Sequence, residues 1–362
     1  MSATQYVTLE GRFRMMEGEL TRPTLAYETW GELAAARDNA VLVFTGLSPS
    51  AHAASSPRDR RTGWWEDMIG PGKPIDTNRY FVVCVNSLGS CFGSTGPASV
   101  NPDTGRRYRL EFPVLHVEDI ANGGAVVLDH LGIERLHTVL GASMGGMTAL
   151  AFALLHPGRA RALVTISSAA RSLPFSIAVR SLQREIIRKD PTWLEGNYPD
   201  DTEPVTGMRL ARKLGMISYR SADEWAERFG RERATDRGDN GEAFGIDFEV
   251  EAYLEANARK FVGTFDANCY LYLSRAMDLF DLADHGGSLD EAFARVTVER
   301  ALVLGVESDF LFPIEQQEEL ATGLNEHVDE VIFHRLPSIQ GHDSFLVDMD
   351  RFRPVIARFF QS

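Results

Sequence analysis

Residues 136–155 read LHTVLGASMGGMTALAFALL, and this stretch decides the fold. A β-branched apolar run, 136–140, enters Gly141-Ala142-Ser143-Met144-Gly145, and a helix-like apolar run leaves it until His156-Pro157 stops it. A G-x-S-x-G pattern alone is weak. Between a strand and a helix it reads as a sharp turn that lifts a serine hydroxyl above a sheet, at the positive end of the next helix. Small residues flank the serine because such a turn crowds its neighbours. A glycine-rich turn with an ordinary N-cap serine is the competing reading. It leaves the partners found further along the chain unexplained.

Outward from this turn, runs at 40–44 (AVLVF), 80–85 (YFVVCV), 162–166 (ALVTI), 301–306 (ALVLGV) and 331–336 have the same character, and 24–30 (TLAYETW) alternates. Continuous β-branched runs suit strands buried on both faces, as in a parallel sheet. Helical patterns at 117–131 and 145–155 lie between them, so the expected class is α/β, doubly wound, with a mostly parallel central sheet and helices on both faces. From 172 to 297 the chain turns charged and aromatic, with helical spacing at 176–189 and 249–261 and a polar loop at 231–241. The simplest account is an α/β core of 1–171 and 298–362 interrupted by a helical lid insertion, 172–297. Two independent domains are the rival.

The chain has 362 residues, 44% hydrophobic, with 37 Lys and Arg against 51 Asp and Glu, a net charge of -14. This is ample apolar material for a globular core, and length alone allows one large domain or two. An acidic surface without a basic patch argues against nucleic acid as a partner. No apolar run reaches the roughly 18 residues of a membrane span. The opening MSATQYVTLEGRF lacks a basic-then-apolar leader, and Cys84, Cys91 and Cys269 have no metal-like spacing. Reduced thiols in the cytoplasm are therefore expected. No H-E-x-x-H, no Cys/His cluster and no phosphate-cradling G-x-x-x-x-G-K-[ST] is present, so neither a metal nor a resident cofactor is expected.

A serine hydroxyl becomes a nucleophile when a histidine, oriented by a carboxylate, takes its proton. In the chain order serine, carboxylate, histidine, the candidates are Ser143, Asp309 just past the run 301–306, and His342 in the polar turn Gln340-Gly341-His342-Asp343. Glu307 rivals Asp309. His334 is the nearest rival of His342 but reads as a strand residue, and His52 could line a pocket. An oxyanion needs two backbone N–H donors, one from Met144 and one from the Thr45-Gly46-Leu47 turn, where Leu47 is the candidate.

These residues resemble the homoserine O-acetyltransferase family, amino-acid O-acyltransferases of the α/β-hydrolase fold. Gly63-Trp64-Trp65, Gly70-Pro71-Gly72-Lys73, Asp76-Thr77, the loop 86–97 (NSLGSCFGSTGP), Asn101-Pro102, Phe112-Pro113, the elbow 141–146 (GASMGG), 308–313 (SDFLFP) and Gly341-His342-Asp343 all match its pattern. The likeness spans nearly the whole chain. It implies transfer from acyl-CoA, a co-substrate, to the hydroxyl of a small amino acid. It also implies Arg212 on the acceptor's carboxylate, Asp343 on its amino group, and a homodimer formed through the insertion. A non-transferring serine esterase is the more distant reading.

The sequence departs from the acetyl-transferring pattern at 46–52 (GLSPSAH), where relatives carry a G-D-S-H-type stretch, and at Arg180, where they tend to carry an uncharged polar residue. Ser48, Pro49, Ser50 and Arg180 are therefore the specificity candidates. A succinyl group carries a second carboxylate, which an arginine can bind bidentately. Arg58, Arg60 and Arg61 form a further basic cluster, read as solvated or as a grip on CoA phosphates. A filled-in pocket favours the shorter acceptor. The expectation is an L-serine O-succinyltransferase of cysteine biosynthesis, with homoserine acetylation or succinylation in methionine biosynthesis as the alternative.

Overall fold

The computed structural model describes residues 2–234 and 244–361; residues 235–241 of the expected polar loop lie outside them. Eight strands form one sheet: β1 (Gln5–Thr8), β2 (Thr24–Trp30), β3 (Ala40–Phe44), β4 (Phe81–Val85), β5 (Leu136–Ala142), β6 (Ala160–Ile166), β7 (Arg300–Val306) and β8 (Glu330–Leu336). Their spatial order is β1-β2-β4-β3-β5-β6-β7-β8. β2 runs antiparallel to both of its neighbours, and every other pairing is parallel.

The period of two along a strand separates two apolar cores. In β3, Ala40, Leu42 and Phe44 pack into one core, together with Ile120 of α1 (Val117–Leu131) and Met147 and Phe152 of α2 (Met144–Leu155). Val41 and Val43 point the other way, into a second core with Trp65, Met68 and the late residues Phe352, Ile356 and Phe359. All five residues of β3 are buried, which is why the strand reads as a continuous apolar run.

Between β6 and β7 the chain forms α3 (Pro174–Arg188), α4 (Val205–Ser218), α5 (Ala222–Phe229), α6 (Glu249–Phe261), α7 (Ala267–Leu279) and α8 (Leu289–Phe293). β7 then pairs in parallel with β6, Val164 opposite Leu302, so the chain returns to the first sheet after the helical stretch. The elements α9 (Ile314–Asn325), α10 (Ser344–Val347) and α11 (Met349–Gln361) complete it. Among the described residues no helix is long and apolar enough to cross a membrane. The carboxyl ends of β3, β5, β6 and β7 share one edge of the sheet, the edge at which open α/β sheets build their sites.

Candidate active site

Ser143 is the single residue between β5 and α2, held at φ 56° and ψ -125°. A non-glycine residue in that region is strained by roughly 1–3 kcal/mol. Two glycines permit it: a Cβ on Gly141 would lie 2.1 Å from the Gly145 carbonyl oxygen, and one on Gly145 would lie 2.3 Å from that of Phe44. The Ser143 N–H donates to the Ile166 carbonyl at 2.9 Å, tying the turn to β6.

The three predicted partners meet. The Ser143 hydroxyl lies 2.8 Å from Nε2 of His342, and Nδ1 of His342 lies 2.7 Å from Oδ2 of Asp309. The other Asp309 oxygen accepts from the N–H groups of Leu311 and Phe312, both at 3.0 Å. Ser308 couples the two loops. Its hydroxyl donates to the Ser338 carbonyl at 2.6 Å and accepts from the Gly341 N–H at 3.0 Å. Phe312 stacks on the His342 ring at 5.1 Å and Phe345 meets it edge-on at 5.8 Å. Burial pulls the His342 pKa down, but the Asp309 and Asp343 carboxylates push it up and the net shift is upward. The rivals lie elsewhere: Glu307 is exposed, and His334 sits within β8.

Leu47 lines the cavity into which Ser143 opens, Met144 follows the serine in the chain, and among the described residues no group accepts from either N–H. Met144 begins α2, so its N–H has no partner within the helix.

Ser143 opens into a cavity of about 160 Å³. Leu47, Ser48, Pro49, Arg180, Arg212 and Asp343 line it. Ser50 does not: its hydroxyl accepts from the His52 N–H at 3.2 Å and its carbonyl from the Trp64 indole at 3.0 Å. His52 also stays outside the cavity, bonded to the buried Glu28 carboxylate at 2.8 Å and the Arg61 carbonyl at 2.9 Å. Arg58, Arg60 and Arg61 are exposed beside the buried Asp59, and none of them lines the cavity.

Arg212 has its guanidinium 4.6 Å from the Phe261 ring centre, its Nε is buried without an acceptor, and no described carboxylate lies within 4 Å of it. An unpaired guanidinium with its Nε buried suits an incoming carboxylate. Burial raises the Asp343 pKa, and Arg220, 3.2 Å away, opposes the rise. Arg180, buried, bonds Asp278 at 2.6 Å and Ser172 at 2.7 Å, and Arg184 reaches the other Asp278 oxygen at 2.7 Å. Two guanidiniums against one carboxylate leave one positive charge in this cluster, of which Arg180 lines the cavity.

Sequence reasoning missed Trp64, Gln183, Tyr219 and Tyr270, which also line the cavity. One signal was available. The buried residues of α3 are Ser176, Arg180, Gln183 and Ile187, a helical face that is polar at three of four places. Such a face borders a wet cavity rather than a core.

A model of the α/β hydrolase fold matches residues 39–347. A serine O-succinyltransferase of Litchfieldella anticariensis is 57% identical over 359 residues, covering 99% of this chain and 98% of the relative. One of Stenotrophomonas maltophilia is 57% identical over 346 residues, 95% of this chain and 94% of the relative. Among solved structures, homoserine O-acetyltransferase from Bacillus anthracis superposes with a TM-score of 0.91 at 27% identity, covering 99% of this chain and 97% of that one. Esterase E22 does so at 0.88 and 27%, covering 98% and 99%. Fold and elbow are thus shared by transferring and hydrolysing enzymes, and the high-identity relatives carry the distinction. The chain belongs to the amino-acid O-acyltransferases of the α/β-hydrolase fold, in the branch that holds the serine O-succinyltransferases.

Proposed function

We propose that this chain transfers the succinyl group of succinyl-CoA to the hydroxyl of L-serine, through an acyl-enzyme on Ser143. The observation that carries the chemistry is the relay Ser143–His342–Asp309, with bonds of 2.8 and 2.7 Å. In the first half, His342 takes the hydroxyl proton as Ser143 attacks the thioester carbonyl. The oxyanion rests on the N–H groups of Leu47 and Met144. His342 then protonates the departing sulfur, and CoA leaves as the thiol. In the second half, His342 takes the proton of the serine hydroxyl, which attacks the acyl-enzyme, and Ser143 regains its proton as the ester product leaves. Arg212 holds the acceptor's carboxylate and Asp343 its ammonium group. CoA acts as a co-substrate, and the three free thiols fit a cytoplasmic setting.

Two observations support the choice of substrates: the 57% identical relatives bear this name, and the wall around Arg180 carries one excess positive charge for a succinyl carboxylate. The deciding experiment is a matrix of succinyl-CoA and acetyl-CoA against serine and homoserine, read as kcat/KM. The succinyl-CoA and serine pair is expected to lead by at least about tenfold, as one added or missing methylene in a fitted pocket is worth roughly 1–3 kcal/mol. A lead for homoserine would overturn the acceptor, and CoA release indifferent to any amino acid would make the protein an esterase.

The homodimer implied by the family finds support on the insertion. Phe175 and Leu182 of α3 and Val205, Leu210 and Ile217 of α4 are exposed although large and apolar. Light scattering after size exclusion should give twice the chain mass, and the Leu182→Glu, Leu210→Glu double variant should give the chain mass. A parent protein that runs as a monomer at micromolar concentration removes the dimer.

A further inference from the structure

A second chamber, of about 330 Å³, shares Arg212, Tyr219 and Asp343 with the catalytic cavity. Its remaining walls come from α5, α6 and the turn after α4: Arg220, Trp225, Tyr253, Lys260 and Phe261. The charges there do not balance. Asp343 is met by Arg220, which also bonds Glu224 at 3.4 Å and Gln340 at 2.8 Å. Arg212 and the exposed Lys260 face no carboxylate within 4 Å among the described residues. Two buried N–H donors, Nε of Arg212 and the Trp225 indole nitrogen, have no acceptor there. With Arg212 given to the acceptor's carboxylate, Lys260 and the orphan Trp225 indole remain, beside aromatic walls, and in a chain of net charge -14 they suit an anionic, oxygen-rich ligand with an apolar portion.

Size says which substrate this is. The catalytic cavity, about 160 Å³, is below the roughly 300–1,000 Å³ of a site for a drug-sized ligand. It takes the reacting acyl group and the acceptor but not the body of CoA. Resting on the acyl-CoA reading above, we propose that the phosphate-bearing tail of the donor lies in this second chamber, with Lys260 on a phosphate and the Trp225 N–H on a further oxygen of the tail. The thioester then reaches Ser143 past the wall of Arg212 and Tyr219.

Calorimetric titration of CoA into the whole protein tests this. Lys260→Glu should weaken CoA binding by about tenfold or more, the size of a lost charge-assisted contact. Lys189→Glu makes the same charge change on the same insertion, at an exposed position outside both chambers. It should stay within about twofold of the parent, as expected of a distant, screened surface charge. Equal weakening by the two variants overturns the proposal. Turnover gives a second readout. The preference for succinyl-CoA over S-succinyl-N-acetylcysteamine, which lacks the tail, should fall about tenfold in Lys260→Glu. A preference equal to the parent's overturns it. If neither thioester gives amino-acid-dependent thiol release, the acyltransferase reading falls, and the CoA titration still decides the chamber.

Discussion

Ser143→Ala is expected to remove succinyl transfer by about 10⁴- to 10⁶-fold, while the protein folds as before. The loss is large because both half-reactions pass through the same oxygen. Without it there is no acyl-enzyme, and the oxyanion donors and the acceptor site have nothing to act on. The fold survives because the Ser143 hydroxyl makes its hydrogen bond to His342, while the backbone bond to Ile166 and the close approaches of Gly141 and Gly145 do not use that hydroxyl. Thermal unfolding should match the parent's or lie slightly higher, since sites built for chemistry are rarely optimal for stability. The parent, mixed with succinyl-CoA without serine and quenched rapidly, should gain the mass of one succinyl group on the peptide that carries Ser143. The variant should gain nothing. A parent that stays unmodified while it turns over, or a variant within tenfold of it, would exclude the two-step route.

Much of this site was legible in the sequence because its parts sit at predictable places on a sheet. Strands buried on both faces must be continuously apolar, so β3 to β7 announce themselves, and nucleophile and carboxylate then follow directly from strand ends. The elbow's glycines are dictated by backbone approaches near 2 Å, which no other side chain tolerates. What stayed hidden was relational. β1 has one buried residue in four, too little pattern to stand out. His52 looked like a pocket residue in a loop beside the nucleophile, but a carboxylate on a distant strand, Glu28, turns it away. Ser50 is bonded within its own loop. Arg180 was legible as a basic residue near the insertion's start, whereas its pairing with Asp278, 98 residues on, was not. Tyr219 lies in a turn that packs against the His342 loop: its carbonyl accepts from the Asp343 N–H at 3.2 Å. Nothing in its immediate sequence marks it.

The orienting carboxylate gives the second large effect, with a sign that geometry fixes in advance. Asp309→Asn is expected to lower kcat/KM for the donor by about 10⁴-fold with the fold intact. The asparagine oxygen can still accept from the Leu311 and Phe312 N–H groups, which places the amide nitrogen where Oδ2 faced His342. An amide N–H donated to Nδ1 forces the neutral imidazole to carry its proton on Nε2. That nitrogen then points an N–H at the Ser143 hydroxyl and cannot take its proton. The pH profile separates this account from simple damage. In the parent, burial lowers the His342 pKa, the Asp309 carboxylate raises it, Asp343 adds to the rise, Arg180 opposes it, and the net shift is upward. The neutral base is therefore lost as pH falls through a raised value. In the variant burial acts without Asp309 against it, so the acid limb of kcat/KM should move to lower pH even as the plateau drops. An acid limb that stays where the parent's lies, or a plateau within tenfold of it, would mean that Asp309 neither charges nor orients the histidine and that another group does.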